Sequence, residues 1–110
     1  YAHVLFTVGE DNYRRLGKGL LDYDGHGAFS PDGKWMITDT YPSSGAREQK
    51  IYLMDMETEA VLSLGRYHHS DDYQGGARCD IHCRWSPNGD LIGFNSTHDG
   101  SRQVYVLKLK

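Results

Sequence analysis

The 110-residue sequence predicts an all-β fold made of repeated antiparallel sheets. Three observations carry that expectation. First, the run DIHCRWSPNG (Asp80–Gly89) repeats DGHGAFSPDG (Asp24–Gly33): in each, a histidine stands three residues before an aromatic, followed by Ser-Pro and a polar-Gly pair. With Ser30 laid over Ser86, an offset of 56 residues, AFSPDGKWMITDT matches RWSPNGDLIGFNS, and beyond a polar loop IYLMD matches VYVLK. Second, Asp32-Gly33 and Asn88-Gly89 are hairpin signals, because these dipeptides tolerate positive φ. Third, the strand candidates WMI and IYLM are apolar on both faces, and a sheet buried on both sides at a fixed period suits stacked β-propeller blades better than a sandwich.

In chain order, residues 1–25, with YAHVLFTVGEDNYRRL, read as the remnant of a preceding blade and a linker. Residues 26–81 read as one blade with a long loop, and 82–110 as a partial blade. Strands are expected near 26–30, which leads into Ser30-Pro31, near 34–40 with Trp35, Ile37 and Thr38, and near 50–55 with Ile51, Tyr52 and Leu53. The segment ETEAVLSLG fits a fourth strand at 60–64 better than a helical turn. The second unit gives strands near 82–86, 90–96 (Leu91, Ile92, Phe94) and 103–108 (Val104, Tyr105, Val106, Leu107), all rich in β-branched and aromatic residues. This amounts to about two and a half blades. A propeller needs four or more, so the chain is expected to belong to a larger ring, seven-bladed by expectation. Strand parity places Phe29 and Trp85 between blades and sends Ala28 with His26, or Arg84 with His82, the other way.

Composition narrows the partners. A formal charge of −3 argues against a nonspecific nucleic-acid binder. No apolar run approaches the ~20 residues that span a bilayer, so no membrane partner is expected. The start at Tyr1 has no signal-peptide pattern, as expected of a processed or longer chain. Localisation stays open, with a periplasmic or secreted setting slightly favoured over the cytoplasm.

Chemistry-bearing residues concentrate in RYHHSDDYQGGARCDIHCRW (Arg66–Trp85). Extended backbone would place Cys79 and Cys83 ~13 Å apart at ~3.3 Å per residue, beyond disulfide reach. They read as free thiols, small buried hydrophobes, or one metal-ligand thiolate. His26 and His82 hold equivalent places at the inner ends of adjacent blades and are expected to meet. Cys79 precedes His82 by three residues, and His68 and His69 sit on what reads as the preceding loop. The candidate metal donors are therefore His26, Cys79 and His82, with His68 (or, as the alternative, His69) completing the set, and Zn²⁺ is preferred over Mn²⁺ because thiolate is a poor manganese ligand. His3 and His98 read as structural.

FSPDGKWMITDT and IYLMDMET resemble the Tol-type β-propeller repeat over residues 26–64 and 82–108. That repeat implies a fold and leaves function open, since it serves binding proteins, peptidase accessory domains and lyases. Across residues 24–107 the chain also resembles the propeller polysaccharide lyases, the oligogalacturonate and ulvan lyases. In the former, a histidine before one Ser-Pro turn and a Gln-x-x-His-x-His run before a later one hold a divalent metal. The resemblance assigns these places to His26, Cys79, His82 and Arg84, with Cys in place of Gln and Arg in place of a ligand.

Uronate cleavage by β-elimination removes a C5 proton after a cation neutralises the adjacent carboxylate. Arg84, Arg66 or Arg78 could supply that charge, and Tyr67, His68, His69 or Tyr73 the acid or base; Arg84, Arg66, Tyr67 and His69 are the catalytic candidates. The first functional expectation is part of a lyase acting on acidic oligosaccharides, with the remaining blades of the propeller as partners. The alternative is a noncatalytic Tol-type binding module. A peptidase's gating propeller is a third, although its Gly-x-Ser-x-Gly turn does not occur in this sequence.

Overall fold

The computed structural model describes residues 1–109. β1 (His3–Phe6) and β2 (Tyr13–Leu16) form a hairpin. β3 (Gly27–Phe29), β4 (Trp35–Asp39), β5 (Glu48–Asp55) and β6 (Val61–His68) form a four-stranded sheet in that order. β7 (Arg84–Trp85), β8 (Leu91–Ser96) and β9 (Gln103–Lys108) form a third sheet of three strands. Every pairing is antiparallel. Among the described residues there is no α-helix, only a 3₁₀ turn at Gly75–Ala77. The chain is all-β and its sheets are successive propeller blades.

The Ser-Pro-x-Gly motif is a wired turn. Ser30 donates its hydroxyl to Asp32 Oδ1 at 2.7 Å and accepts the Trp35 N–H at 3.0 Å, while Gly33 takes φ +73°. The second copy repeats this: the Ser86 hydroxyl lies 3.0 Å from Asn88 Oδ1 and accepts the Leu91 N–H at 3.0 Å, with Gly89 at φ +77°. The serine fixes both ends of the hairpin, and glycine supplies the left-handed backbone that other residues resist.

The middle sheet buries both faces. Paired positions share a face, so Ala28, Ile37, Leu53 and Leu62 point one way, and Phe29, Met36, Met54 and Val61 the other. On the first face Ile37, Ile51 and Leu53 pack with Ile81, Cys83, Ile92 and Phe94 of the next blade. On the second, Met36 and Met54 pack with Leu16 and Leu21 of the N-terminal unit. Trp85 turns its face toward the middle sheet and donates Nε1–H to the Ala28 carbonyl at 3.0 Å. Phe29, expected between blades, has the matching orientation but remains 45% exposed. The cause is that the unit on its side contributes only the β1–β2 hairpin.

One element differs from expectation. β6 runs to His68 rather than ending at 64. A register irregularity beside Ile51 and Tyr52 absorbs an extra residue, and polar Arg66, Tyr67 and His68 then pair with Lys50, Gln49 and Glu48. Those three are strand residues, and the loop begins at His69.

Antiparallel order puts the segments 17–26, 40–47, 69–83 and 97–102 at one end of the sheets. The Asp32-Gly33 and Asn88-Gly89 turns lie at the other. The cluster read from the sequence falls at the loop-bearing end.

Candidate functional site

Two blades meet at that end through Asp39, the last residue of β4. Its carboxylate is buried, with the residue 1% exposed. Oδ1 accepts the His26 backbone N–H at 2.8 Å and Oδ2 accepts the His82 backbone N–H at 2.6 Å. The His26 Nδ1 lies 3.2 Å from both oxygens. A buried carboxylate is retained only where donors compensate its lost hydration, and here both blades supply them. His82 adopts φ +51°, a left-handed conformation that costs a non-glycine residue free energy, and the Asp39 bond helps hold it. Gly25 is needed next to it: a Cβ there would stand 1.9 Å from the Asp39 carbonyl oxygen.

The expected meeting of His26 and His82 occurs. Their rings stack with centroids 4.1 Å apart and planes 14° apart. Tyr41 stands edge-on to His26 at 5.6 Å, and the Arg78 guanidinium lies over the Tyr41 ring at 4.4 Å. Arg78 also holds Asp80 through two bonds, at 2.6 and 3.1 Å. That carboxylate, the largest influence on Arg78, raises the guanidinium pKa. Burial raises the Tyr41 phenol, with nearby Asp24 and Asp80 adding to the effect. Asp39, Tyr41 and Gly25 were not singled out from the sequence. The available signal was an acid closing an apolar run, in WMITD, where the second copy carries Asn95.

The four expected metal donors do not form one set. A metal binds in the plane of an imidazole at ~2.1 Å, and two stacked planes so nearly parallel cannot share a point at that distance. Cys79 is fully buried beside His69, and His68 Nδ1 lies 3.2 Å from the Ala46 carbonyl. Burial pushes the Cys79 thiol up, and the Cys83 thiol up to about 12, so neither favours thiolate. Both cysteines are free and buried. Among the described residues no three His, Cys, Asp or Glu side chains gather in an arrangement that could hold a metal. The residues present do not fit a Zn²⁺ or Mn²⁺ centre.

The catalytic candidates are likewise dispersed. His69 is a buried strut: its Nε2 accepts the Cys79 N–H at 3.0 Å, so Nε2 is unprotonated and Nδ1 carries the proton toward the Ser70 carbonyl at 3.0 Å. In this tautomer Arg47 Nη2, 2.7 Å from Nδ1, acts as a neighbouring charge rather than a donor. Burial, then Arg47, lowers the His69 pKa. Tyr67 packs against Phe94 and His98, at 4.9 and 5.1 Å between centroids. Arg66 is mostly exposed, 3.8 Å from Glu48. Arg84 is tied to Asn95 Oδ1 and the His82 carbonyl, both at 3.1 Å.

No protein-family model and no curated protein matches the sequence. The fold is similar to the crystal structure of TolB from Acinetobacter baumannii, with a TM-score of 0.70 and 25% sequence identity. The likeness covers 97% of this chain and 24% of that one, so the chain corresponds to a minor part of that protein's length.

Proposed function

We propose that the chain is part of a noncatalytic Tol-type β-propeller binding module, which presents its loop-bearing end to a partner. The observation that carries this reading is that Asp39, His69, Arg78 and Arg84 at that end are taken up by structural bonds, Asp39 across two blades and the others within the loops and the third sheet. Asp39 is saturated by blade donors, His69 by the backbone, Arg78 by Asp80, and Arg84 by Asn95. The TolB likeness supports the same reading. A catalytic group needs a free nitrogen or oxygen aimed at substrate, whereas a binding face needs rigid loops on a rigid scaffold.

One observation favours a second reading, a lyase acting on acidic oligosaccharides: His26 and His82 come from successive blades and meet at this end. Two assays separate the readings. A photo-crosslinker attached at Ser43→Cys, on the loop-bearing end, should give a discrete protein adduct in cell extract. The same group at Lys34→Cys, on the turn end, should not. Incubation with uronate oligosaccharides, with and without Zn²⁺ or Mn²⁺, should give no unsaturated product. Protein-dependent ultraviolet absorbance from a new C4–C5 double bond would overturn the binding-module reading and restore the lyase.

A further inference from the structure

The Tyr41 ring already serves as a platform for one cation. The Arg78 guanidinium lies over it at 4.4 Å from the ring centroid, and Asp80 holds that guanidinium by two bonds. Ring, guanidinium and carboxylate complete one another there. A second set beside the same ring has its aromatic and acidic members and no cation. Asp24 is exposed and has no hydrogen-bond or ion-pair partner among the described residues. Burial first, and the Asp24 charge second, raises the Tyr41 phenol, which puts this carboxylate close to the ring.

Asp24 and Tyr41 line one cleft of ≈ 310 Å³, together with Asp22, Tyr23, Thr40 and the 88% exposed Tyr1. Arg78 does not line it, so the cleft meets Tyr41 away from the guanidinium already seated there. Its principal walls are residues 22–24, between β2 and β3, and 40–41, between β4 and β5, both at the loop-bearing end. Tyr23 is steadied by stacking on Tyr52, with centroids 6.4 Å and planes 11° apart, yet stays 51% exposed. Asp22 is bonded to Arg15 at 2.7 Å and to the Gly19 N–H at 3.1 Å, which leaves Asp24 as the uncompensated charge.

This combination selects a cation. Tyrosine rings attract positive charge through their quadrupole, and a guanidinium both stacks on a ring and pairs with a carboxylate. An anion would be repelled by Asp22 and Asp24, and a neutral group would leave the Asp24 charge unanswered. We propose that the cleft takes one arginine side chain of a protein partner, its guanidinium against Tyr23 and Tyr41 and bonded to Asp24. This rests on the binding-module reading and names what the loop-bearing end recognises.

The test titrates Nα-acetylarginine methylamide into the isotope-labelled chain and follows resonances by nuclear magnetic resonance. Saturable shifts at Tyr23, Asp24 and Tyr41 are expected, at millimolar affinity. The citrulline analogue has the same shape without the charge and should bind about fivefold more weakly or worse. Asp24→Asn, at an exposed position compatible with folding, should weaken arginine binding by about fivefold or more. Asp72→Asn removes an exposed carboxylate elsewhere at this end and should leave affinity unchanged. Equal affinity for citrulline, indifference to Asp24→Asn, or an equal loss with Asp72→Asn would overturn the proposal. The small probe reads the cleft without a partner, so this result is independent of the crosslinking assay. Protein adducts without arginine binding would reject this cleft alone, whereas arginine binding without adducts would support the cleft and reject the binding-module reading.

Discussion

Asp39 Oδ2 accepts the backbone N–H of His82 at 2.6 Å, across the boundary between two blades and 43 residues along the chain. The same carboxylate accepts the His26 N–H through its other oxygen. Asp39→Ala leaves both donors without a partner; an unsatisfied buried group costs ~1–3 kcal/mol, and the partial exposure of His26 and His82 to water keeps the cost per donor to the lower part of that range. The expected loss is about 2–4 kcal/mol in urea unfolding. Asp39→Asn should recover only part, because its NH₂ would face an N–H. A loss below about 0.5 kcal/mol for the alanine variant would show that the bridge is dispensable.

Gly25→Ala tests the close approach behind that bridge. Its Cβ would meet the Asp39 carbonyl oxygen, a backbone atom that cannot rotate away. Overpacking of this kind costs ~1–3 kcal/mol. Gly45→Ala is the control for open space, since a Cβ there meets nothing within 4 Å. Its φ of +80° carries a separate backbone cost, measured by comparison with Gly45→Asn, a residue that tolerates this region better. Equal midpoints for Gly25→Ala and wild type would contradict the packing described here.

His69 makes stability depend on pH in a definite direction. Its folded pKa lies below the ordinary value of 6.5, so below that pH the unfolded chain binds more protons than the folded one. Stability should therefore be undiminished above 6.5 and fall as the pH drops below it, down to the lowered folded value. Protonation of Nε2 also breaks the bond to the Cys79 N–H. Urea midpoints measured from pH 7.5 to 5 should decline less steeply in His69→Gln than in wild type. Parallel slopes would remove His69 as a cause.

The two thiols should be slow to alkylate. Both are buried, and desolvation holds Cys83 in its protonated form, with a pKa raised to about 12. Iodoacetamide at pH 8 should modify neither cysteine appreciably in the folded chain and both rapidly in denaturant. Mass spectrometry reads the sites directly, and fast native labelling of Cys83 would contradict its burial.

Much of the fold was legible because the signals were local and repeated. Ser30 and Ser86 wire their turns through side chains within five residues, and short runs apolar on both faces such as IYLM, bounded by turn signals, mark strands by themselves. The end of β6 was not legible, since polar GRYH becomes strand only past an irregularity at Leu64, the extra residue of β6 opposite Ile51 and Tyr52, that arises from tertiary pairing. At the site, symmetry of position correctly brought His26 to His82. It could not give ring orientation, and stacking rather than convergence separates a blade joint from a metal centre. The crowding of Cys79, His68 and His69 in sequence was also misleading. His68, the last residue of β6, is exposed, while His69, the first residue of the loop, is buried against the Cys79 backbone, so adjacent residues serve different surroundings.

The two opposed cores of the middle sheet have a consequence for how the chain comes apart. The N-terminal hairpin and the third sheet each lean on the middle sheet, through separate sets of residues. Energetically this is a row of neighbours, in which an end can detach without dissolving the rest, while loss of the centre removes support from both sides. The smaller set, with Leu16 and Leu21 against Met36 and Met54, holds the hairpin together with two bonds, His3 to the Thr38 hydroxyl and the Gly17 N–H to Glu59. Slow heating should release that hairpin first, and amide exchange should rank β1 and β2 fastest, β4 and β5 slowest. The middle blade acts as the keystone of this row, and any mutation there is felt in two directions at once.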